Sequence, residues 1–575
     1  MEWLVRRALS IRSATSPSFG PGGVVYYLSD VTGEFQLWKF DGFRHDVVVP
    51  WGGRVGDYVV SNDGALAVAV DSGGDEQWRI YIVEGDVVEV STEGVNLLGA
   101  WSPDSTQLAF TSTRDDSQNF YLYIYDRRDR SLKKVAELPG LNIVEEWGEA
   151  GVLITHYESN LESSIYLYRG GQLIELTKRS DGALSRSPIF INGGRLLFLT
   201  NLDWDYVGVA SMDLSTGQWR YIVQLDRDVE LLDRWGSYIT FAVNEGGQSG
   251  LYYMHIPSGL THKISTPAGV VTSLQFRNNS ILFSLSSINR GHEVYIYQGG
   301  AVRQITHSPR FGFPLEKIPE PQSIYYTSHD GRKIPANIYR PVGEPEGTVV
   351  YLHGGPESQD RPEFKPLVAA MLASGLLVAA PNFRGSSGYG KTYLRLDDRE
   401  KRWDAIRDVV HFVDWLVENR LAERGEICAI GGSYGGYMVL MALATAPGVW
   451  KCGVEIAGIY NLVTFLERTA PWRRKYREAE YGSLERDRQL LEELSPSSHI
   501  EKITASLLVI HGANDVRVPL YEAEQLVKRL RELGREVQFL VLPDEGHVIT
   551  KIENRVRAYV EAVKFIRHYL KKSNL

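Results

Sequence analysis

The chain is short of cysteine. Its 575 residues include only Cys428 and Cys452, too few for a disulfide framework or a cysteine-based zinc site. Both lie in apolar, strand-like runs, Ile427-Cys428-Ala429-Ile430 and Lys451-Cys452-Gly453-Val454. They read as buried free thiols, and only a hyperthermophilic source would leave room for a disulfide between them. Long apolar runs are also missing. The longest, Leu367 to Ala380, has 14 residues with an internal Ser-Gly and ends at Pro381, too short to span a bilayer. Met1 to Arg7 has no apolar core of a signal peptide. A soluble, cytoplasmic protein with no membrane partner is expected. No Lys/Arg cluster accompanies the net charge of −9, so the basic face that a nucleic-acid partner demands is absent. Ordinary hydrophobic (43%) and charged (23%) fractions exclude disordered and fibrous classes.

Aromatic residues are plentiful and regularly spaced, which calls for a search for repeats. A strand-like segment beginning near Val25 recurs near Leu66, Leu108, Leu153, Leu197, Ile239 and Leu282, at intervals of 41, 42, 45, 44, 42 and 43 residues. In most copies a second strand follows in which aliphatic and aromatic residues alternate, such as Tyr121-Leu122-Tyr123-Ile124-Tyr125. A third follows after a turn, and an inner strand such as Val95 to Trp101 precedes each copy. Four short strands every 43 residues or so is the spacing of propeller blades. The Trp-Asp and Gly-His signature of the commonest propeller repeat does not mark the copies. The chain enters on an inner strand (Ile11 to Phe19) and leaves on an outer one near Thr306. That phase predicts seven blades with no strand exchanged to lock the ring, which could then part and admit a substrate. Nothing in the repeats specifies chemistry, and Glu145-Glu146 is the one feature that could clamp a cationic group.

After Pro309 the pattern changes. Pro314, Pro319 and Pro321 mark a junction, and strands then alternate with helices. Apolar runs at Thr348–Leu352, Leu376–Ala380, Ile427–Ile430, Gly453–Ile456, Leu507–Ile510 and Val537–Val541 read as strands covered on both faces. With the helical segments Arg402–Arg420, Gly436–Ala444, Leu520–Leu533 and Asn554–Leu570 they predict a doubly wound, mostly parallel sheet, an α/β-hydrolase. The expected division is an N-terminal segment, residues 1–9, a seven-bladed β-propeller over 10–310, and an α/β-hydrolase catalytic domain over 311–575.

Gly431-Gly432-Ser433-Tyr434-Gly435 follows one of these strands and precedes a helix, the nucleophile-elbow context. His353-Gly354-Gly355-Pro356 follows another, where such hydrolases place a loop whose amide helps bind an oxyanion. Asp515, in Ile510 to Pro519, and His547, in Leu542 to His547, follow two further strands. The order Ser433, Asp515, His547 is that of α/β-hydrolases. His547 is the expected base towards Ser433, with Asp515 fixing its tautomer. Asp544 is a rival acid, too close in sequence to His547 to be preferred, and His511 reads as a structural loop histidine.

These segments, together with Asn382-Phe383-Arg384-Gly385-Ser386-Ser387-Gly388-Tyr389-Gly390 and His511 to Pro519, resemble the prolyl oligopeptidase family of serine peptidases, and within it the acylaminoacyl-peptidase branch. Dipeptidyl peptidases of the family usually carry Trp where this chain has Gly432, and prolyl oligopeptidase usually carries Asn where it has Tyr434. The resemblance implies an active site facing the propeller channel, with Trp3, Leu4 and Val5 packing back on the hydrolase. It implies oxyanion amides from Gly355 and Tyr434, Arg517 near the substrate carbonyls, and Trp472 and Tyr476 in a hydrophobic specificity pocket. A loop ion pair for Arg517 and core packing for the two aromatics are the competing readings. The expected activity is release of N-acylated amino acids from short peptides through an acyl-enzyme on Ser433, without metal or organic cofactor. A homo-oligomer is compatible with that reading. A carboxylesterase with the same triad, a peptidase acting on free N-termini, and a propeller-based binding protein with an inactive hydrolase are the alternatives.

Overall fold

A computed structural model describes residues 2–177, 182–192 and 194–571. Met1, residues 178–181, Gly193 and residues 572–575 lie outside the described residues. Seven four-stranded antiparallel sheets are present among the described residues, each built from four strands consecutive in the chain. The first is Ala14–Phe19, Val25–Ser29, Gln36–Phe40 and His45–Val47, and the last ends at Ala301–Gln304. The strands form because alternating apolar residues bury one face against the next blade while the turns carry Gly, Asn and Asp. Leu108, Phe110 and Tyr123 of one blade, for example, share a core with Ala67, Ile80 and Ile82 of its neighbour.

Among the described residues no strand is exchanged between the first and last blades, as the phase of the repeat predicts. They meet instead through side chains: the amide of Phe19 donates to Gln275 Oε1 at 2.6 Å, and Thr15 Oγ1 donates to Ser284 Oγ at 3.4 Å.

The second unit is one eight-stranded sheet. In chain order its strands are β1 (Gln322–Thr327), β2 (Lys333–Tyr339), β3 (Gly347–Leu352), β4 (Leu376–Pro381), β5 (Ile427–Gly432), β6 (Trp450–Ile456), β7 (Ser506–Gly512) and β8 (Val537–Leu542). Their spatial order is β1-β2-β4-β3-β5-β6-β7-β8. The pairs β1–β2 and β2–β4 are antiparallel and the rest parallel. This is the α/β-hydrolase predicted from the pattern, with an antiparallel edge added. That edge is not readable as a buried run because β1 exposes most of its residues.

Helices cover both faces. On one face α1 (Glu2–Leu9), α2 (Pro366–Ala373) and α7 (Ile552–Lys571) pack with the sheet around Val368, Val454 and Ile566. On the other, α3 (Arg402–Glu418), α4 (Tyr434–Thr445) and α6 (Tyr521–Glu532) bury Ile406, Val439 and Leu526. In α1, Val5 is buried and Leu4 packs against the same core. Trp3 departs from expectation: it is 60% exposed and lies under the Arg7 guanidinium at 3.6 Å.

The cysteine expectation is overturned. Cys428 and Cys452 form a disulfide. The two residues are direct register partners on the adjacent parallel strands β5 and β6, with Cα atoms 4.7 Å apart, within bridging range. Two separate apolar runs do not reveal that adjacency.

Among the described residues no helix is long and apolar enough to cross a membrane.

Candidate active site

The site lies where the carboxyl ends of β3, β5, β7 and β8 meet the propeller. Ser433 directly follows β5 and caps α4 at φ 57° and ψ −123°, a conformation that costs a non-glycine residue about 1–3 kcal/mol and clusters at functional sites. The turn is tight enough to demand glycine beside it. A Cβ on Gly435 would fall 2.1 Å from the Leu352 carbonyl oxygen.

The three residues predicted from sequence order come together. His547 Nε2 is 3.0 Å from Ser433 Oγ, and His547 Nδ1 is 2.7 Å from Asp515 Oδ2. Asp515 Oδ1 accepts the backbone N–H groups of Arg517 (2.8 Å) and Val518 (2.9 Å). Burial opposes the Asp515 charge, but the facing His547 and the hydrogen bonds from His511 and His547 outweigh it, holding the carboxyl well below its usual range. The arrangement orients the His547 ring with Nδ1–H towards the carboxylate, leaving Nε2 free to accept from the serine.

His511 does have a local role. It is buried, donates from Nε2 to the Val518 carbonyl at 2.8 Å, and stands 3.4 Å from Asp515 Oδ2. Asp544, the rival acid, is occupied elsewhere: Lys551 Nζ lies 2.6 Å and Asn554 Nδ2 2.9 Å from its carboxylate.

The loop His353-Gly354-Gly355-Pro356 runs beside Ser433. A Cβ on Gly354 would sit 3.4 Å from Ser433 Cβ. His353 staples the loop, with Nδ1 2.8 Å from the Gly354 carbonyl oxygen and Nε2 2.8 Å from Ser386 Oγ, and burial pushes its pKa down to about 4. Tyr434 is the first residue of α4, so its N–H has no intrahelical acceptor. The amides of Gly355 and Tyr434 thus belong to the two segments that flank Ser433.

The remaining expectations fare differently. Arg517 Nε is 2.9 Å from Glu76 Oε2 of the propeller, so in this state it makes the ion pair that was the competing reading. Trp472 and Tyr476 lie on α5 (Pro471–Tyr481). Trp472 meets Phe120 of the propeller edge-on at 5.3 Å, and burial raises the pKa of the Tyr476 phenol. Both aromatics are partly buried at the domain boundary.

The catalytic half meets the loops joining second and third blade strands: Gly73 accepts from Asn514 (2.8 Å), Asn160 donates to Glu480 (3.2 Å), and Gly247 accepts from Arg361 (2.7 Å). Glu145 and Glu146 instead line a cavity of about 800 Å³ that also takes in Asn62, Pro103, Glu149 and Asn192. Asn62, Pro103 and Glu149 sit on turns joining first and second strands, at the opposite mouth of the channel. Glu145 accepts from Thr155 Oγ1 at 2.6 Å and Glu146 from the Phe190 amide at 2.5 Å. Sequence reasoning did not find Glu76, because a single acid in a blade turn carries no pattern pointing to a loop hundreds of residues away.

A doubly wound sheet carrying a serine elbow, an acid and a histidine in this geometry, joined to a seven-bladed propeller, has the architecture of an α/β-hydrolase with an appended propeller. The chain matches the family model described as Prolyl oligopeptidase family over residues 362–573. It is 29% identical over 356 residues to Dipeptidyl peptidase family member 6 of Caenorhabditis elegans, covering 57% of this chain and 48% of that protein. It is 25% identical over 273 residues to Acylamino-acid-releasing enzyme 1 of Oryza sativa subsp. japonica, covering 45% of this chain and 35% of that one. The matched part therefore spans about half or less of these relatives' length. A solved prolyl endopeptidase structure has the same fold, with a TM-score of 0.87 at 17% identity, covering 99% of this chain and 92% of that one.

Proposed function

We propose that this chain is a serine peptidase of short peptides. In this reading Ser433 Oγ attacks the scissile carbonyl while His547 Nε2 takes its proton, and Asp515 stabilises the imidazolium. The N–H groups of Gly355 and Tyr434 receive the oxyanion. Collapse expels the amine, protonated by His547, and leaves an acyl-enzyme on Ser433 that water hydrolyses. The observation that carries the reading is the relay of 3.0 Å and 2.7 Å on a strained elbow beside the Gly354-Gly355 loop. The domain limits follow: a propeller over 10–310 that restricts access, a catalytic domain over 311–575, and residues 1–9 attached to the latter.

The finer proposal is release of N-acylated amino acids. Gly432 and Tyr434 at the elbow support it. So does the placing of Glu145 and Glu146 at the far mouth of the channel, where neither can hold a substrate ammonium next to Ser433. A second reading, cleavage from free N-termini, is favoured by the relative named as a dipeptidyl peptidase. A peptide library with blocked and free N-termini, read by mass spectrometry, separates the two. An acyl ester matched in size to an acetylated amino-acid anilide tests the esterase alternative. Faster turnover of the blocked peptides supports the acylaminoacyl assignment. Preference for free N-termini contradicts it while leaving the peptidase assignment standing.

A further inference from the structure

Between the two flanks of Ser433 lies a buried cluster of charged residues that the reaction as written does not use. Arg402, on α3, is fully buried. Its guanidinium lies 4.2 Å from the ring centre of Tyr481 and 5.2 Å from that of Tyr434. Its Nη2 donates to Glu480 Oε1 at 2.9 Å, while Nε and Nη1 have no hydrogen-bond partner among the described residues. A buried cation kept with so few partners depends on the aromatic faces and the one carboxyl that hold it.

Glu480 is itself buried, and its other oxygen, Oε2, accepts from Arg477 Nη1 at 3.2 Å and from Asn160 Nδ2 of the propeller at 3.2 Å. The same Arg477 nitrogen is 3.0 Å from Glu357 Oε2. Glu357 follows Gly355 by two residues. On the other side the Tyr434 hydroxyl donates to Asp397 Oδ2 at 3.1 Å. The chain of contacts therefore starts beside one proposed oxyanion donor and ends on the residue that supplies the other.

We propose that Glu480 is a positioning residue: by bridging Arg402 and Arg477 it fixes the Gly355 loop and Tyr434 relative to each other, and so sets the spacing of the two oxyanion donors. This rests on the assignment of those donors above. Burial and the charge of Glu357 raise the Glu480 carboxyl well above its usual range, and although burial opposes the Glu357 charge, Arg477 outweighs it and holds that carboxyl below its own. Since Asn160 comes from the propeller, the spacing also depends on the two domains being docked.

An oxyanion donor stabilises the transition state far more than the bound substrate, so a displaced donor lowers kcat and leaves KM nearly unchanged. The experiment is steady-state hydrolysis of one ester and one peptide substrate by the full chain carrying Glu480→Leu, Glu480→Gln or Tyr434→Phe. Glu480→Gln keeps an acceptor for one arginine and sets its amide nitrogen against the other, whereas Glu480→Leu keeps no acceptor. Tyr434→Phe removes only the bond to Asp397 and keeps the ring and the backbone N–H. The expectation is a fall in kcat of about 10- to 100-fold for Glu480→Leu, within the range for losing one oxyanion donor. A smaller fall, about 3- to 10-fold, is expected for Tyr434→Phe and for Glu480→Gln, which keeps one of the two bridges, with KM within about threefold of wild type in all three. Circular dichroism shows whether each variant is folded; should Glu480→Leu not fold, the Tyr434→Phe and Glu480→Gln pair decides. Wild-type kcat in a folded Glu480→Leu, or in Tyr434→Phe, overturns the proposal, as does an equal loss in Gln and Leu. Ser433→Ala, assayed alongside, separates the two levels: its retained activity sinks the assignment of the nucleophile, whereas an inactive Ser433→Ala with a fully active Glu480→Leu sinks only the positioning role.

Discussion

Gly74 offers a sharp test of how the propeller bears on His547, the proposed base. It sits in the turn Ser72–Glu76, which also supplies the Glu76 partner of Arg517 and the Gly73 carbonyl bonded by Asn514. A Cβ on Gly74 would lie 2.3 Å from the Gly546 nitrogen and 2.8 Å from its Cα, and Gly546 immediately precedes His547. Relieving that overlap to ordinary van der Waals contact requires a movement of about 1 Å, and a 1 Å misplacement of a reacting group costs on the order of 100-fold in rate. Gly74→Ala is therefore expected to lower kcat by about 10- to 100-fold. Gly74 also has φ +79°, which penalises any side chain by about 1–2 kcal/mol independently of its neighbours. Gly85 supplies the control: its φ is +85° with nothing within 4 Å of an added Cβ, so Gly85→Ala carries the backbone cost without the contact. The assay is turnover of a small chromogenic ester by both variants, with melting temperatures measured in parallel. Equal kcat in the two variants would refute the reasoning, because it would mean the His547 loop does not feel the propeller turn.

Three further outcomes are expected. Asp515→Asn should keep the fold but lower kcat by roughly 10⁴-fold, because an amide no longer selects the tautomer with Nε2 facing Ser433; single-substrate kinetics check this. Glu455 is fully buried beside the elbow, and burial raises its carboxyl from 4.5 to about 7 despite the His511 charge. A raised acid favours the folded state while protonated, so its contribution is intact below pH 4.5 and is lost as pH rises towards about 7. Denaturant unfolding at pH 5 and 7.5 should show Glu455→Gln escaping a decline worth up to ~3 kcal/mol. Replacing both cysteines by alanine opens a link between residues 24 apart, which should cost ~3 kcal/mol by the loop-entropy relation and leave kcat within about twofold, as measured by unfolding and turnover of the same preparation.

Much of the molecule is legible in the sequence for identifiable reasons. The blades show because every copy must bury aliphatic and aromatic residues against a neighbour, which stamps a 43-residue period on Tyr, Leu and Ile. The proposed triad shows because Ser433, Asp515 and His547 each follow an apolar strand, and their order is set by the topology. What the sequence hides depends on lateral adjacency. The disulfide requires knowing that β5 and β6 lie side by side in register. The Arg517–Glu76 pair joins positions 441 residues apart. The cluster around Arg402 draws on α3, α5 and two loops, and on α5 its members, Arg477 and Glu480, read as one polar face of a surface helix. Only the packing of α5 beneath Tyr434 and against the propeller reveals them as buried.

The central claim is that Ser433 is a nucleophile activated by His547. Intact-protein mass spectrometry after reaction with a fluorophosphonate, followed by peptide mapping, tests it most directly. One adduct per chain on Ser433, formed rapidly by the wild type and at least about 100-fold more slowly by His547→Ala, is the predicted result. An adduct on another serine, or labelling of Ser433 at the same rate without His547, would contradict the account.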